Sequence, residues 1–329
     1  EYKREHALPI CDPAREAAVV AAASERVADS TMREYYTSFV KDVMKTSRAY
    51  QSRLTEGMRV VYSGAEGAFG YIAANRAFPG ASLEASADFA DAYRAVEDGQ
   101  YDCAVLPIEN SYAGDVGAVM DLLFSGSLYI NRMIDLEVEH SLLGVPGASI
   151  EDIGTVVSHP QALEQCADFI RAHGWKTVSY SNTALAAKYV AAANDPHIAA
   201  IASDETAALY GLEALAHRVN SARSNTTRFA VLSRAQHLPS PDSRTGREHF
   251  ILVFTTKNEA GALAQPLKII GAHNFNMRGL RSRPMKDLIW NYYFLVEADG
   301  NISTDDGQNM LHELSAVCAK LRLAGTYEA

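Results

Sequence analysis

The chain has 329 residues, 48% apolar and 21% charged, with 30 Lys and Arg against 40 Asp and Glu for a formal charge of -10. An acidic chain without a basic block is a poor partner for nucleic acid or an anionic membrane surface. Its four cysteines, Cys11, Cys103, Cys166 and Cys318, form no CxxC pair and fit neither a disulfide scaffold nor a zinc site; with no apolar run near the roughly 18 residues of a membrane span and no signal pattern, the expected setting is cytoplasmic.

Residues 1–55 read as helical. DPAREAAVVAAASERVA opens with Asp12 as N-cap and Pro13 at the first helical position. A second helix starts at STMRE, where Thr31 and Glu34 have capping-box spacing. Met32, Tyr36, Phe39, Val40, Val43, Ser47 and Tyr50 then follow helical spacing, apolar but for Ser47. Two such helices make a poor core alone. The opening EYKREHALPI reads as the end of a helix, so one long helix is expected before Glu1.

Residues 57–233 alternate strand and helix. MRVVYS, DCAVLPI, GTVVS, KTVSY, HIAAIA and RFAVLS are short strands, with PQALEQCADFIRAHG and TALAAKYVAAAND as helices among them. The alternation predicts a mostly parallel sheet covered by helices, as one large domain or two lobes facing a cleft. Residues 234–249 have linker composition. Residues 250–329 then give FILVFTTK, GALAQPLKIIGA, NMRGLRSR, LIWNYYFLVEA, DGQNMLHELSAVCAKL and LAGTY. That βαββαβ order is the ferredoxin-like split βαβ arrangement.

Four stretches place polar groups at strand ends, where open α/β sheets bind ligands. In GAEGAFG, glycines before a helix offer backbone N–H groups to an anion; the plain alternative is a tight turn. In PIENSYAGDVG, Asn110 suits a carboxylate or hydroxyl and Glu109 is the nearest proton donor, unless the stretch is an Asx turn. In SHPQALEQC, Ser158 reads as an N-cap, and His159 as a helix-start histidine more often structural than basic. In SNTTRF, residues 224–229, the donors Asn225, Thr226, Thr227 and Arg228 either face a ligand or bond their own backbone.

Together, and in this order, GAEGAFG, PIENS, SHPQ with its following QC, LYGL at 209–212 and NTTRF resemble prephenate dehydratase. KNEAGAL at 257–263 and SRP at 282–284 resemble the ACT regulatory domain that follows it. Lys3, LPI at 8–10, DPAREAAV at 12–19 and SRAYQ at 47–51 resemble the later part of the helical chorismate mutase. The whole looks like the bifunctional chorismate mutase/prephenate dehydratase type.

The resemblance implies a multidomain chain. It would hold a partial all-α mutase segment at 1–55 and a two-lobed α/β dehydratase domain at 57–233, like a type 2 periplasmic-binding protein. An α+β ferredoxin-like ACT domain would follow at 250–329. It implies decarboxylative dehydration of prephenate to phenylpyruvate in L-phenylalanine biosynthesis, with no cofactor and no metal. Arogenate dehydratase and a non-catalytic amino-acid sensor are the alternatives. Asn110, Ser158, Gln165 and Thr227 fall at its cleft positions, with Arg228 and Phe229 completing TRF and Asn225, Glu109 and Ser111 beside them. Thr227 is expected to donate to the leaving hydroxyl, with Glu109 as the alternative acid. Lys3, Asp12, Arg15 and Glu16 fall at mutase positions for chorismate; Ser47 stands where some members carry glutamine. Asn258, Gly261, Ala262, Leu263, Ser282, Arg283 and Pro284 fall at positions that bind L-phenylalanine, and Arg281 replaces a usual glutamate. ACT ligands sit between paired domains, so a homodimer or homotetramer is implied.

Overall fold

The computed structural model describes residues 10–221, 225–243, 245–285 and 291–328. Lys3, Ser224 and the start of the LIWNYYFLVEA strand lie outside the described residues.

A helical hairpin comes first. Helix α1 (Pro13–Glu25) starts where the Asp12 carboxylate accepts from the Arg15 amide, with Pro13 at its first position. Helix α2 (Ser30–Glu56) is capped by Asp29, which accepts from the Met32 amide. Asp29 precedes the helix, whereas Thr31 already lies within its first turn, so the expected capping box does not form. Helix α1 buries no residue. Met32, Tyr35, Phe39, Tyr50 and Leu54 of α2 are all more than half exposed.

Next come β1 (Arg59–Ser63), α3 (Phe69–Ala77), β2 (Ser82–Ser86), α4 (Phe89–Glu97), β3 (Cys103–Asn110), β4 (Gly114–Asp115), α5 (Gly117–Ser125) and β5 (Tyr129–Glu137). The chain then crosses to a second lobe. It holds β6 (Ser141–Gly144), β7 (Thr155–Ser158), α6 (Pro160–Gln165), α7 (Ala167–His173), β8 (Lys176–Ser179), α8 (Thr183–Ala193), β9 (Ile198–Ala202), α9 (Asp204–Tyr210) and β10 (Glu213–Ala216). The return strand β11 (Thr226–Ser233) enters the first sheet between β3 and β5.

The two lobes have separate sheets. The first runs β2-β1-β3-β11-β5 and the second β10-β6-β9-β7-β8. Both are mixed rather than mostly parallel. β11 runs antiparallel to both neighbours, and β6 to both of its own. Two crossings between the lobes reverse the chain, which a simple β–α alternation does not anticipate. Strands β2, β4, β5, β6 and β10 are not expected from the sequence. β6 is buried on both faces, Leu142 in one core and Leu143 in the other, each side chain contributing about 1.5–3 kcal/mol. The expected single helix PQALEQCADFIRAHG is two helices. Cys166 sits at φ -109, ψ 13, and the Gln165 carbonyl accepts from the Ser221 amide.

The C-terminal unit comprises β12 (Glu248–Thr255), α10 (Ala264–Ala272), β13 (Met277–Pro284), β14 (Tyr292–Asp299), α11 (Asp305–Val317) and β15 (Lys320–Glu328). Its sheet order, β13-β14-β12-β15, is that of the split βαβ fold. It is not held off by the linker. β15 meets β5 at Gly325 and Ile130, where an added Cβ would stand 2.1 Å from the Ile130 carbonyl oxygen. Ile251, Val253, Leu295 and Tyr327 share one core with Leu106, Ile130 and Leu232 of the first lobe.

Candidate active site

A cavity of 400 Å³ opens between the lobes, within the range of small-ligand sites. The first lobe supplies Gly64, Phe69, Gly70 and Asn110, and the second His159, Gln165, Asn182 and Thr183. The two crossings supply Val138, His140 and Asn225, tied together by a 2.7 Å bond from the Val138 amide to the Asn225 carbonyl. Thr227 and Phe229 line the floor.

A directed hydrogen-bond chain runs along this floor. Asn110 Oδ1 accepts from the Tyr112 and Ala113 amides at 3.0 and 2.8 Å. Only an oxygen can accept two N–H groups, so the amide has one orientation. Its Nδ2 then donates to Thr227 Oγ1 and to Asn225 Oδ1, both at 2.8 Å. Asn225 Nδ2 donates to Gln165 Oε1 at 3.1 Å, and His140 Nε2 lies 3.1 Å from that same oxygen. An oxygen there requires Nε2 to carry the proton. The chain leaves two donors unspent, the Thr227 hydroxyl and the Gln165 amide N–H. It also leaves one bare acceptor, His140 Nδ1, which has no partner. Burial lowers the His140 pKa to about 4, so the ring is neutral near pH 7.

Helix N-termini add fixed positive potential. Helix α3 begins at Phe69 with no side-chain cap, so its first-turn N–H groups face the cavity unspent. Gly70 is required there, because a Cβ would lie 2.7 Å from the Ser63 carbonyl oxygen. Helix α8 points its start, Asn182 and Thr183, at the same space. The second lobe grips the glycine loop through Thr206 Oγ1 to the Gly67 carbonyl at 2.7 Å and the Tyr210 hydroxyl to the Glu66 carbonyl at 2.8 Å. LYGL at 209–212 thus belongs to the contact between lobes.

The structure brings Asn110, Gln165, Asn225, Thr227 and Phe229 together at the cavity. Arg228 and Glu109 face the other side of the sheet, because strand side chains alternate. Arg228 is locked by Glu297 in two 3.1 Å bonds and by the Tyr327 hydroxyl at 3.1 Å. Glu109 is held by Arg281. Burial alone would raise the Glu297 carboxyl; bonds from Tyr327 and Arg228 outweigh it and hold the group below its ordinary value. Ser158 is fully buried and donates to the Ile201 carbonyl at 2.6 Å, pinning β7 to β9 away from the cavity lining. The residue before α6 is His159, whose Nδ1 accepts from the Gln161 amide at 3.2 Å, so the N-cap is His159 and not Ser158. Ser111 Oγ accepts from the Thr226 amide, beside the cavity rather than in it. His140 escaped the sequence reading. It stands in EVEHSLLG, a plain strand entry with no motif to flag it.

In the helical hairpin, Asp12 caps α1, Glu16 pairs with Arg48 of α2, and Arg15 is exposed. Ser47 Oγ accepts from Gln51. In the C-terminal unit, Asn258 and Leu263 line a 110 Å³ cavity with Tyr292 and Phe294. Gly261 turns the same loop at φ +82, next to Ala262. Ser282, Arg283 and Pro284 pair with Phe294, Tyr293 and Tyr292 across β14. Pro284 opens on a different, 500 Å³ cavity, and Arg283 bonds Asp121 of α5 at 3.0 Å. Among the described residues the two stretches thus line different cavities.

The prephenate dehydratase family model matches residues 60–237. A bifunctional chorismate mutase/prephenate dehydratase of Escherichia coli K12 is 33% identical over 279 residues, 82% of this chain and 70% of the relative. An arogenate dehydratase/prephenate dehydratase of Arabidopsis thaliana is 33% identical over 285 residues, 82% of this chain and 72% of that one. A prephenate dehydratase from Arthrobacter aurescens, solved in complex with L-Phe, superposes with a TM-score of 0.75 at 28% identity, covering 83% of this chain and 90% of its own. GqqA, titled a novel type of quorum quenching acylase, gives the same TM-score at 32% identity, covering 82% and 98%.

Proposed function

The chain belongs to the prephenate dehydratase family, and on that premise we propose that it converts prephenate to phenylpyruvate, with Thr227 as the donor to the departing hydroxyl. The observation that carries this reading is the direction of the hydrogen bond at Thr227. Its oxygen accepts from Asn110, so its proton is free to point into the cavity.

Prephenate is a dianion, and the α3 and α8 starts, with the Gln165 N–H, supply donors for its carboxylates. As the ring C–O bond breaks, Thr227 donates to the leaving oxygen and stabilises its growing negative charge. The ring carboxylate leaves as carbon dioxide, and its electron pair aromatises the ring. Prephenate dianion plus one proton becomes phenylpyruvate, carbon dioxide and water, so the departing hydroxide takes a solvent proton passed through the cleft. Glu109 is a poor acid for this step, since Arg281 holds it on the other face.

Prephenate is favoured over arogenate by charge. Among the described residues lining the cavity, the one carboxylate is Asp115, and it is bonded to Arg281 at 2.7 Å. No free carboxylate is left there for an ammonium group. An acylase reading with Thr227 as nucleophile has no activating base in place: no described His, Asp, Glu or Lys is bonded to its hydroxyl.

The wider reading adds a chorismate mutase portion at the helical hairpin, phenylalanine inhibition through an ACT-type C-terminal unit, a cytoplasmic setting and a homo-oligomer. Asp12, Arg15 and Glu16 near one helix start, the split βαβ sheet order and the bare apolar face of α2 support the first, second and last of these. The test is to supply prephenate, arogenate and chorismate separately, with and without L-phenylalanine, and follow the aromatic product. No phenylpyruvate from prephenate would sink the reading.

A further inference from the structure

The glutamate of the ACT-like pattern is replaced by Arg281, and the structure gives this residue a place. β3 and β4 form a short antiparallel pair in which Glu109 stands opposite Asp115 and Asn110 opposite Gly114. Like charges directly opposite each other push a strand pair apart. Arg281 reaches from β13 into this pair, its Nε on Asp115 Oδ1 at 2.7 Å and its Nη2 on Glu109 Oε2. Its Nη1 lies 3.8 Å from Glu297 Oε2, the carboxylate that also grips Arg228. The Arg281 side chain is only 15% exposed, so this fork is far less screened than a surface pair.

What it holds matters because of where the neighbours point. The turn between β3 and β4 carries the Tyr112 and Ala113 amides that orient Asn110. Asn110 in turn orients Thr227, its direct partner in the β3–β11 register, while Arg228 faces Glu109 in the next pair. One face of these strands lines the cavity, and the other is clamped by the C-terminal unit.

We infer that Arg281 is a positioning residue for the reaction at Thr227: by bridging Glu109 and Asp115 it closes the β3–β4 turn and fixes the Asn110 amide. It touches no substrate. The inference rests on the dehydratase reading for its kinetic consequence but not for its structural one.

The test compares Arg281→Gln and Arg281→Lys in the full chain. With Gln, kcat falls about 10–100-fold, as expected for a misplaced catalytic donor. KM for prephenate rises as well, because Asp115 at the cavity lining loses its neutralising partner, so the positioning role is read from kcat at saturating prephenate. Lys keeps the charge but loses the planar fork, and recovers part of kcat. Amide hydrogen exchange at Tyr112 and Ala113 accelerates in the Gln variant. A Gln variant with kcat within about twofold of the parent overturns the inference. So does a loss that tracks the folded fraction, with turnover per folded molecule unchanged. Unchanged exchange at both amides overturns it whatever the substrate proves to be. If the parent chain itself forms no phenylpyruvate while the exchange response is intact, the dehydratase reading fails and the clamp stands.

Discussion

The two faces of one strand pair, β3 and β11, are built from opposite chemistry. The cavity face carries Asn110 and Thr227, neutral groups joined in a directed chain of hydrogen bonds. The far face carries Glu109 and Arg228, ions locked into a cluster with Arg281, Glu297 and Tyr327. The neutral face keeps donors unspent at the cavity; the ionic face leaves almost nothing unspent. Rigidity and reactivity are thus divided between the sides of a single sheet. The lesson is that a motif such as TRF is two half-motifs, with the threonine and phenylalanine turned to the cavity and the arginine to the neighbouring unit.

That division can be broken at its strongest point by Glu297→Leu. Removing the carboxylate leaves Arg228 half-buried without its main partner, and the expected loss is about 3–5 kcal/mol of unfolding free energy. Chemical denaturation measures it. A loss under about 1 kcal/mol would mean that the cluster is no brace. On the cavity face, Thr227→Val keeps the shape and deletes the donor. Turnover per folded molecule is expected to drop about 10²–10³-fold, with about 1–3 kcal/mol of stability lost because Asn110 Nδ2 loses an acceptor. Initial rates on prephenate decide it, and a change within about twofold removes Thr227 from its role.

His140 gives a pH test. Its pKa is lowered in the folded chain to about 4, against an ordinary 6.5, because burial disfavours the charged ring. Above pH 6.5 both folded and unfolded forms are neutral, and its full stability contribution is present. As pH falls from 6.5 towards 4 the unfolded chain takes up the proton first, and on the order of 3 kcal/mol is lost. Denaturation curves at pH 7, 5.5 and 4 should show that slope, and His140→Phe should flatten it. An equal slope in both proteins would assign the acid sensitivity elsewhere. The smallest effect is expected from Glu109→Gln, which retains an oxygen for Arg281. A true general acid would cost about 10²–10⁴-fold; a member of the brace should cost under tenfold with an unchanged pH profile.

The company of motifs was legible in sequence because each is a local signal. Asp12 with Pro13 marks a helix start, and GAEGAFG a turn into a helix. The six strands named from β-rich runs all exist, and the βαββαβ order matches the C-terminal unit. β5 was not legible, since YINRMIDLE mixes polar and apolar residues in a strand flanked on both sides. His140 was not legible either: the strand entry that holds it lacks any pattern, and its partner Gln165 lies 25 residues away.

By itself the sequence determined six strands of the two lobes, the βαββαβ order of the C-terminal unit, the donor-rich strand ends and the family. The tertiary structure decided which way each donor points. A strand's period of two separates Thr227 from Arg228 but cannot say which of them meets the ligand. That depends on what packs against each face, and the packing comes from segments far along the chain, such as Arg281 on Glu109 at a separation of 172 residues. Contacts of that range arise only when the first lobe and the C-terminal unit are assembled around one core.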